Sequence, residues 1–235
     1  MTSARTIRLS VNQPYFFPYI GFFQLLHASS KFVSLDDANF IKRGWINRNR
    51  ILINGKPNYL NLQIVDASQN RKICETKIDK SSGWKEDILK KLRISYSRAP
   101  FYTDTFTVVR NTLDTPSDLV SDISFQSILE VCNYLKLRRE FGRCQGDVSE
   151  NGEGRIIGIC KKENAGSYVN LPGGRELYER EKFRNEGIEL LFIEPKLREY
   201  KQFGGDFVPG LSIIDVMMFN SPEAILEMIS DYVLS

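Results

Sequence analysis

Residues 7–35 read IRLSVNQPYFFPYIGFFQLLHASSKFVSL, and the order of patterns in this stretch decides the fold. Ile7-Arg8-Leu9-Ser10-Val11 alternates apolar and polar side chains, the signature of a strand. Asn12-Gln13-Pro14 stops it. Pro14 and Pro18 each bias the preceding residue away from helical backbone, so the connection is extended or turned. From Tyr19 the positions Ile20, Phe23, Gln24, Leu26 and His27 recur with helical spacing, which predicts a helix to about Ser30. Residues 31–35 (KFVSL) form a second strand ending at Asp36-Asp37. Strand, loop, helix and strand in this order make a βαβ unit.

Outward from this unit, Arg50-Ile51-Leu52-Ile53 and Tyr59-Leu60-Asn61-Leu62 flank the turn residues Asn54-Gly55-Lys56-Pro57, a hairpin over 49–65. Residues 73–78 read as a short strand. Helices are predicted over 84–95, near 103–112 and over 119–135, the last introduced by Thr115-Pro116-Ser117-Asp118. Residues 142–154, rich in Gly, Ser, Asn and Glu, read as a loop. The α/β pattern then returns: helix 155–162, strand 167–170, helix 177–185, buried strand 188–193, and helices at 212–219 and 222–232. The expectation is one α/β domain over residues 1–235. It has a Rossmann-like, mostly parallel sheet, for which a nucleotidyltransferase-like form is one option, with a β-hairpin and a helical insertion at about 82–150.

The chain has 235 residues, 42% of them hydrophobic, enough to bury a core without metal or disulfide staples. No apolar run approaches the roughly 18 residues of a membrane span, and Met-Thr-Ser-Ala-Arg lacks the apolar region of a signal peptide. A cytoplasmic protein without membrane insertion is therefore expected. The 32 basic and 29 acidic residues are too balanced to argue for nucleic-acid binding. Cys74, Cys132, Cys144 and Cys160 lack metal-ligand spacing, and His27 is the single histidine, so no metal is expected. Acid–base chemistry then falls mainly to carboxylates, Tyr, Lys or His27 itself.

Ligands of open parallel sheets bind beyond the carboxyl ends of the strands. Four loops are expected to converge there. The first is residues 12–19. The second, residues 36–50, holds Asp36, Asp37, Lys42, Arg43, Asn47, Arg48, Asn49 and Arg50 around Trp45. Planar guanidinium forks and interleaved amides suit a nucleotide diphosphate, while a solvated basic loop paired with Asp36 and Asp37 is the plainer alternative. The third, Leu171-Pro172-Gly173-Gly174, feeds a helix whose free backbone N–H groups suit an anion, with a simple turn as the alternative. The fourth leads towards Tyr200-Lys201-Gln202. Gly21 sits where a nucleotidyltransferase His-x-Gly-His signature has its glycine, but no histidine flanks it, which disfavours adenylyl transfer by that device. Asp215, among apolar residues, needs a partner, expected to be one of the loop arginines or Lys42.

Taken together, Gln13-Pro14-Tyr15-Phe16-Phe17-Pro18-Tyr19-Ile20-Gly21, Asp36-Asp37 with residues 42–50, Ser167-Tyr168-Val169-Asn170 with Gly173-Gly174 and Leu177-Tyr178, Tyr200-Lys201-Gln202 and residues 211–220 resemble the WbqC-like family in order and spacing over nearly the whole chain. The resemblance implies a place in bacterial surface-polysaccharide (O-antigen) biosynthesis. It also implies acyl or aminoacyl (glycyl-type) transfer to a nucleotide-linked amino sugar. A non-catalytic sugar-nucleotide binding or scaffolding protein is the alternative. Ser167 departs from the pattern, where His is expected. On this reading Asp36 or Asp37 accepts the amine proton, and Gln13, Tyr168 and Asn170 position the acyl group or its oxyanion. The substrate-binding set is Lys42, Arg43, Asn47, Arg48, Asn49, Arg50, Gly173, Gly174, Tyr178, Gln202 and Asp215. No cofactor is identified. An activated acyl or aminoacyl donor is implied, and a charged tRNA stays open as its source.

Overall fold

The computed structural model describes residues 7–144 and 152–235. The opening unit folds as β1 (Ile7–Asn12), α1 (Ile20–Ala28) and β2 (Lys31–Leu35). The hairpin is β3 (Arg48–Ile53) and β4 (Lys56–Asn61). Its turn is only two residues, Asn54 and Gly55, both with positive φ (52° and 73°), the backbone that a tight hairpin requires. The helical part comprises α2 (Trp84–Tyr96), α3 (Tyr102–Leu113) and α4 (Val120–Tyr134). After it come β5 (Glu140–Cys144), α5 (Gly152–Lys162), β6 (Ala165–Asn170), α6 (Arg180–Asn185), β7 (Glu189–Pro195), α7 (Ile213–Phe219), α8 (Pro222–Ser230) and β8 (Tyr232–Leu234).

Among the described residues the main sheet has the order β5-β2-β1-β6-β7-β8, parallel except for the antiparallel β8. The chain builds outward from β1 on one side and then returns to build outward on the other, so the order reverses between β1 and β6. Alternation along β1 decides the two faces. Leu9 and Val11 pack with Tyr168, Leu190, Ile156 and Phe183 under α5 and α6. On the opposite face Phe22, Phe23 and Leu26 of α1 meet Phe32 of β2, in a core continuous with the hairpin, α2–α4 and α7. The α2 stripe Trp84, Ile88, Leu92 and Tyr96 has one residue per turn and is wholly buried. Ser212 and Ser221 cap α7 and α8 by accepting from the N–H groups of Ile214 and Ala224 (3.2 and 3.3 Å). No helix among the described residues is long and apolar enough to cross a membrane.

Four local expectations change. Residues 73–78 do not form a strand. Ile73–Glu75 is a 3₁₀ turn, and only single bridges (Ile64 with Ile78, Lys77 with Leu119) continue it. The expected 142–154 loop begins inside β5 and ends inside α5, with 145–151 outside the described residues, so the helical part closes at Tyr134 and the chain re-enters the sheet at Glu140. Residues 177–179 are not helical; α6 starts at Arg180. The last helix stops at Ser230, and Tyr232–Leu234 pairs with β7. Each of these short segments takes its state from a partner distant in sequence rather than from its own pattern.

Tyr96 at the end of α2 accepts a hydrogen bond from the Leu52 N–H (2.9 Å) and donates one to Asp215 Oδ2 (2.5 Å). Tyr96→Phe leaves the Leu52 N–H and Asp215 Oδ2 without this partner in the core, so a loss of about 2–4 kcal/mol is expected in urea unfolding. A second expectation concerns His27, whose Nδ1 lies 3.2 Å from the Tyr232 hydroxyl. Burial, reinforced by the Arg139 guanidinium, holds its imidazole below the ordinary 6.5. The unfolded chain therefore takes up the proton first, and stability contributed by this residue is lost as pH falls from 6.5 through the folded-state value. The single imidazole resonance should titrate below 6.5 in NMR, and His27→Gln should flatten the pH profile of stability as pH falls below 6.5.

Candidate functional site

The β1–α1 loop is held by its own backbone. Phe17 has a φ of 42°, unusual for a bulky side chain. Its N–H donates to Ser127 Oγ (2.9 Å), and its carbonyl accepts from Asn49 Nδ2 (2.7 Å) and Ser212 Oγ (2.8 Å). Phe16 N–H donates to the Trp45 carbonyl (3.0 Å), Ser212 N–H to the Arg50 carbonyl (2.8 Å) and Ile213 N–H to the Pro18 carbonyl (3.0 Å). The loop after β1, the hairpin, α4 and the entry to α7 thus meet at one place. Beside it lies a cavity of about 210 Å³ lined by Tyr15, Pro18, Tyr19, Trp45, Asn49 and Gly210. Arg50 borders it, its guanidinium 5.5 Å from the Trp45 ring and its Nη2 3.4 Å from the Gly210 carbonyl. Gly21 is glycine because the Tyr19 ring lies over the first turn of α1: a Cβ there would come within 2.6 Å of Tyr19 Cζ.

At the carboxyl edge of the sheet stand Gln13, Asp36, Asp37 and Asn170. Asp36 is fully buried. It accepts from Ser34 Oγ (2.6 Å) and from Arg143 of β5, which also reaches Asp122 (2.6 Å). Burial pushes the Asp36 carboxyl up, against the pull of Ser34 and Arg143. Asp37 is paired with Arg155 of α5. Asn170 Oδ1 accepts from the Leu171 N–H (2.8 Å), which leaves its amide N–H₂ as the group to offer. Gly174 packs against that amide, and a Cβ there would lie 3.1 Å from both Asn170 Cγ and the Tyr178 ring. Tyr178 packs edge-on against Tyr168. Tyr168 itself is fully buried within the α5–α6 layer. The expected cradle of free N–H groups is absent from Gly174, Arg175 and Leu177: these donate to Leu171, Pro172 and Gly174 within a 3₁₀ turn, before any α-helix begins. Gly173 is open.

The basic loop divides. Lys42, Arg43, Asn47 and Arg48 line a separate open depression of about 310 Å³ with Phe40 and residues 61–64. Arg48 Nε donates to the Gly44 carbonyl (3.1 Å), and its guanidinium stacks 4.5 Å over Tyr59. Asn47 Nδ2 donates to the Leu62 carbonyl (3.0 Å). Asn49 is buried, its amide bound to the Phe16 and Phe17 carbonyls. Asp215 does not pair with a loop cation. Tyr96, Tyr200 and Gln202 donate to it at 2.5, 2.7 and 3.0 Å. Neutral donors suffice, and burial raises the carboxyl above its usual range. Gln202 also bonds Val208 through both amide atoms, so it braces the loop over 196–212.

Neither Arg143 nor Arg155 carries a local signal, since each meets its aspartate from more than 100 residues away. Tyr15, Tyr19 and Trp45 stand in the stretches singled out above, and aromatic density between two prolines was the available clue. Ser167 lines a depression at the opposite, amino edge of the sheet, with Arg8, Ser29 and Glu189. Among the described residues no group of three or more His, Cys, Asp or Glu is placed to hold a metal ion.

The model of the WbqC-like protein family matches residues 13–227. The chain belongs to the WbqC-like protein family. That membership suggests a role in polysaccharide biosynthesis. This WbqC-like protein is also 24% identical over 221 residues to the uncharacterized protein Rv1507c of Mycobacterium tuberculosis, covering 92% of this chain and 95% of the relative. No solved structure is significantly similar to it.

Asn49 is the test of how the site is held. Asn49→Asp replaces the donor to two carbonyls with a carboxylate, and an unfolding free energy lower by about 3 kcal/mol or more is expected in denaturant titrations.

Proposed function

We propose that this WbqC-like protein transfers an acyl or aminoacyl (glycyl-type) group to the amine of a nucleotide-linked amino sugar in bacterial surface-polysaccharide biosynthesis. The observation that carries the reading is the reversal of strand order between β1 and β6. The carboxyl ends of these neighbours bring Gln13 and Asn170 to the same edge, Asn170 level with Val11, and Asp37 follows the end of the neighbouring β2. A crevice at such a reversal is where open α/β sheets bind ligands. Lys42, Arg43 and Arg48, which share one open depression, have no ion-pair partner among the described residues, which leaves their charge for a diphosphate.

In the reaction the neutral sugar amine attacks the donor's carbonyl carbon. The C–N bond forms as the bond to the donor's leaving group breaks, and the departing group keeps that electron pair. Gln13 and Asn170 amides donate to the carbonyl oxygen as it gains negative charge. Asp37 takes the amine proton and Arg155 holds the carboxylate in place. Asp36, without solvent access, positions Arg143 and the loop.

One observation favours the second reading, a non-catalytic sugar-nucleotide binding or scaffolding protein: both strand-end aspartates are already engaged by arginines, so their carboxylates serve the fold. A thermal-shift screen with UDP-, dTDP- and GDP-sugars should raise Tm with at least one ligand, and Arg43→Ala should reduce that shift. Incubation of that ligand with acyl-CoA and aminoacyl-tRNA donors, read by mass spectrometry, should give a mass-shifted sugar that Asp37→Asn abolishes while still binding. Binding with no product from any donor supports the scaffold; no binding across the screen overturns both.

A further inference from the structure

We infer that the cavity lined by Tyr15, Pro18, Tyr19, Trp45, Asn49 and Gly210 is the subsite for one sugar ring, with the Tyr15 and Tyr19 hydroxyls reading its hydroxyl groups. The inference rests on the proposed function only in joining that ring to a nucleotide. Size comes first. The cavity is about 210 Å³, below the roughly 300–1,000 Å³ of pockets that enclose a whole drug-sized ligand. It has room for a single six-membered ring and not for a nucleotide.

Its chemistry is that of an apolar wall with polar tips. Trp45, Tyr15, Tyr19 and Pro18 supply aromatic and aliphatic faces, against which the C–H face of a pyranose stacks. Trp45 is 39% exposed, so part of its indole surface is open to a ligand. Both rings are half-buried in the wall, and the Tyr15 and Tyr19 hydroxyls have no hydrogen-bond partner among the described residues, which leaves them for a ligand. Burial raises both above the ordinary value of 10.0, with the neighbouring Tyr19 adding to the rise at Tyr15, so each stays a neutral donor and acceptor at pH 7. Neutral hydroxyls that both donate and accept match the rim of a sugar. The edge of a nucleobase calls instead for a fixed amide, and Asn49, the one amide in the wall, is bound to the Phe16 and Phe17 carbonyls. The same bonds hold the wall in shape before a ligand arrives, and Arg50 ties two of its members together, near the Trp45 ring and donating to the Gly210 carbonyl.

The test compares ligands with and without the ring. Wild-type protein, Tyr15→Phe and Tyr19→Phe are titrated with UDP-, dTDP- and GDP-sugars, with bare UDP, dTDP and GDP, and with free monosaccharides (glucose, galactose and N-acetylglucosamine), by calorimetry and Trp45 fluorescence. Neither substitution removes an intramolecular hydrogen bond, and unchanged Tm verifies the fold. Each variant should weaken the best sugar nucleotide about fivefold or more, the loss of one hydrogen bond, and leave the bare diphosphate unchanged. Equal weakening of sugar nucleotide and bare diphosphate puts the base in the cavity and overturns the inference, as does no effect of either variant. If no nucleotide binds but a free monosaccharide quenches Trp45 in a manner lost in Tyr19→Phe, the nucleotide reading fails and the ring subsite stands. If no ligand of any class perturbs Trp45, the subsite fails as well.

Discussion

Three hydrogen bonds converge on the peptide groups of Phe17, and much of the molecule is arranged around them. The donors and acceptor come from Ser127 of α4, Asn49 of β3 and Ser212 before α7, which are 110, 32 and 195 residues away in sequence. A left-handed phenylalanine costs on the order of 1–3 kcal/mol. Three buried hydrogen bonds of about 1 kcal/mol each, together with a fully buried ring, are enough to hold it. The consequence is geometric. The β1–α1 loop is prevented from relaxing, so the short segment from Pro14 to Tyr19 places Tyr15 and Tyr19 in one cavity wall with Trp45 and Asn49.

The carboxyl edge is organised by a different force. Asp36 and Asp37 end β2 beside β1, and each is neutralised by an arginine from the later half of the chain. A buried carboxylate without such a partner would carry a desolvation penalty of several kcal/mol. These pairs therefore tie β5 and α5 to β2, and they make the two aspartates unequal. Asp36 is sealed, while Asp37 lies at the edge where its charge is held but not fully enclosed. The same logic explains Asp215, which is satisfied by two phenols and an amide without any cation. Its network anchors the loop that brings Gly210 to the cavity.

The separation of the arginines has a simple cause. Arg48 is held by the Gly44 carbonyl and by Tyr59, whereas Arg50 sits between Trp45 and Gly210. A single run of basic residues in sequence becomes two differently placed groups because the loop turns at Arg43, where φ is 61°, and then enters the hairpin. Side chains that read as one clamp are therefore shared between an open basic depression and the wall of an aromatic cavity.

Residues 7–35 by themselves determined the central unit, because apolar periods of two and then about 3.6, interrupted by Pro14 and Pro18, have one compact solution. The hairpin at Asn54-Gly55 and the buried stripe of α2 were legible for the same reason: their information is local. Strand β5, the 3₁₀ turn at Ile73–Glu75 and the short β8 were not, since a few residues adopt the state that a distant partner stabilises. The site divides along the same line. Asp36, Asp37, Gln13 and Asn170 could be placed at strand ends from pattern alone. Only the folded chain decided that Arg143 and Arg155 neutralise the aspartates, that Asn49, Gln202 and Asp215 are engaged internally, and that Tyr15, Tyr19 and Trp45 enclose a common space. Pairing across more than a hundred residues depends on loop closure and packing, and no local spacing encodes it.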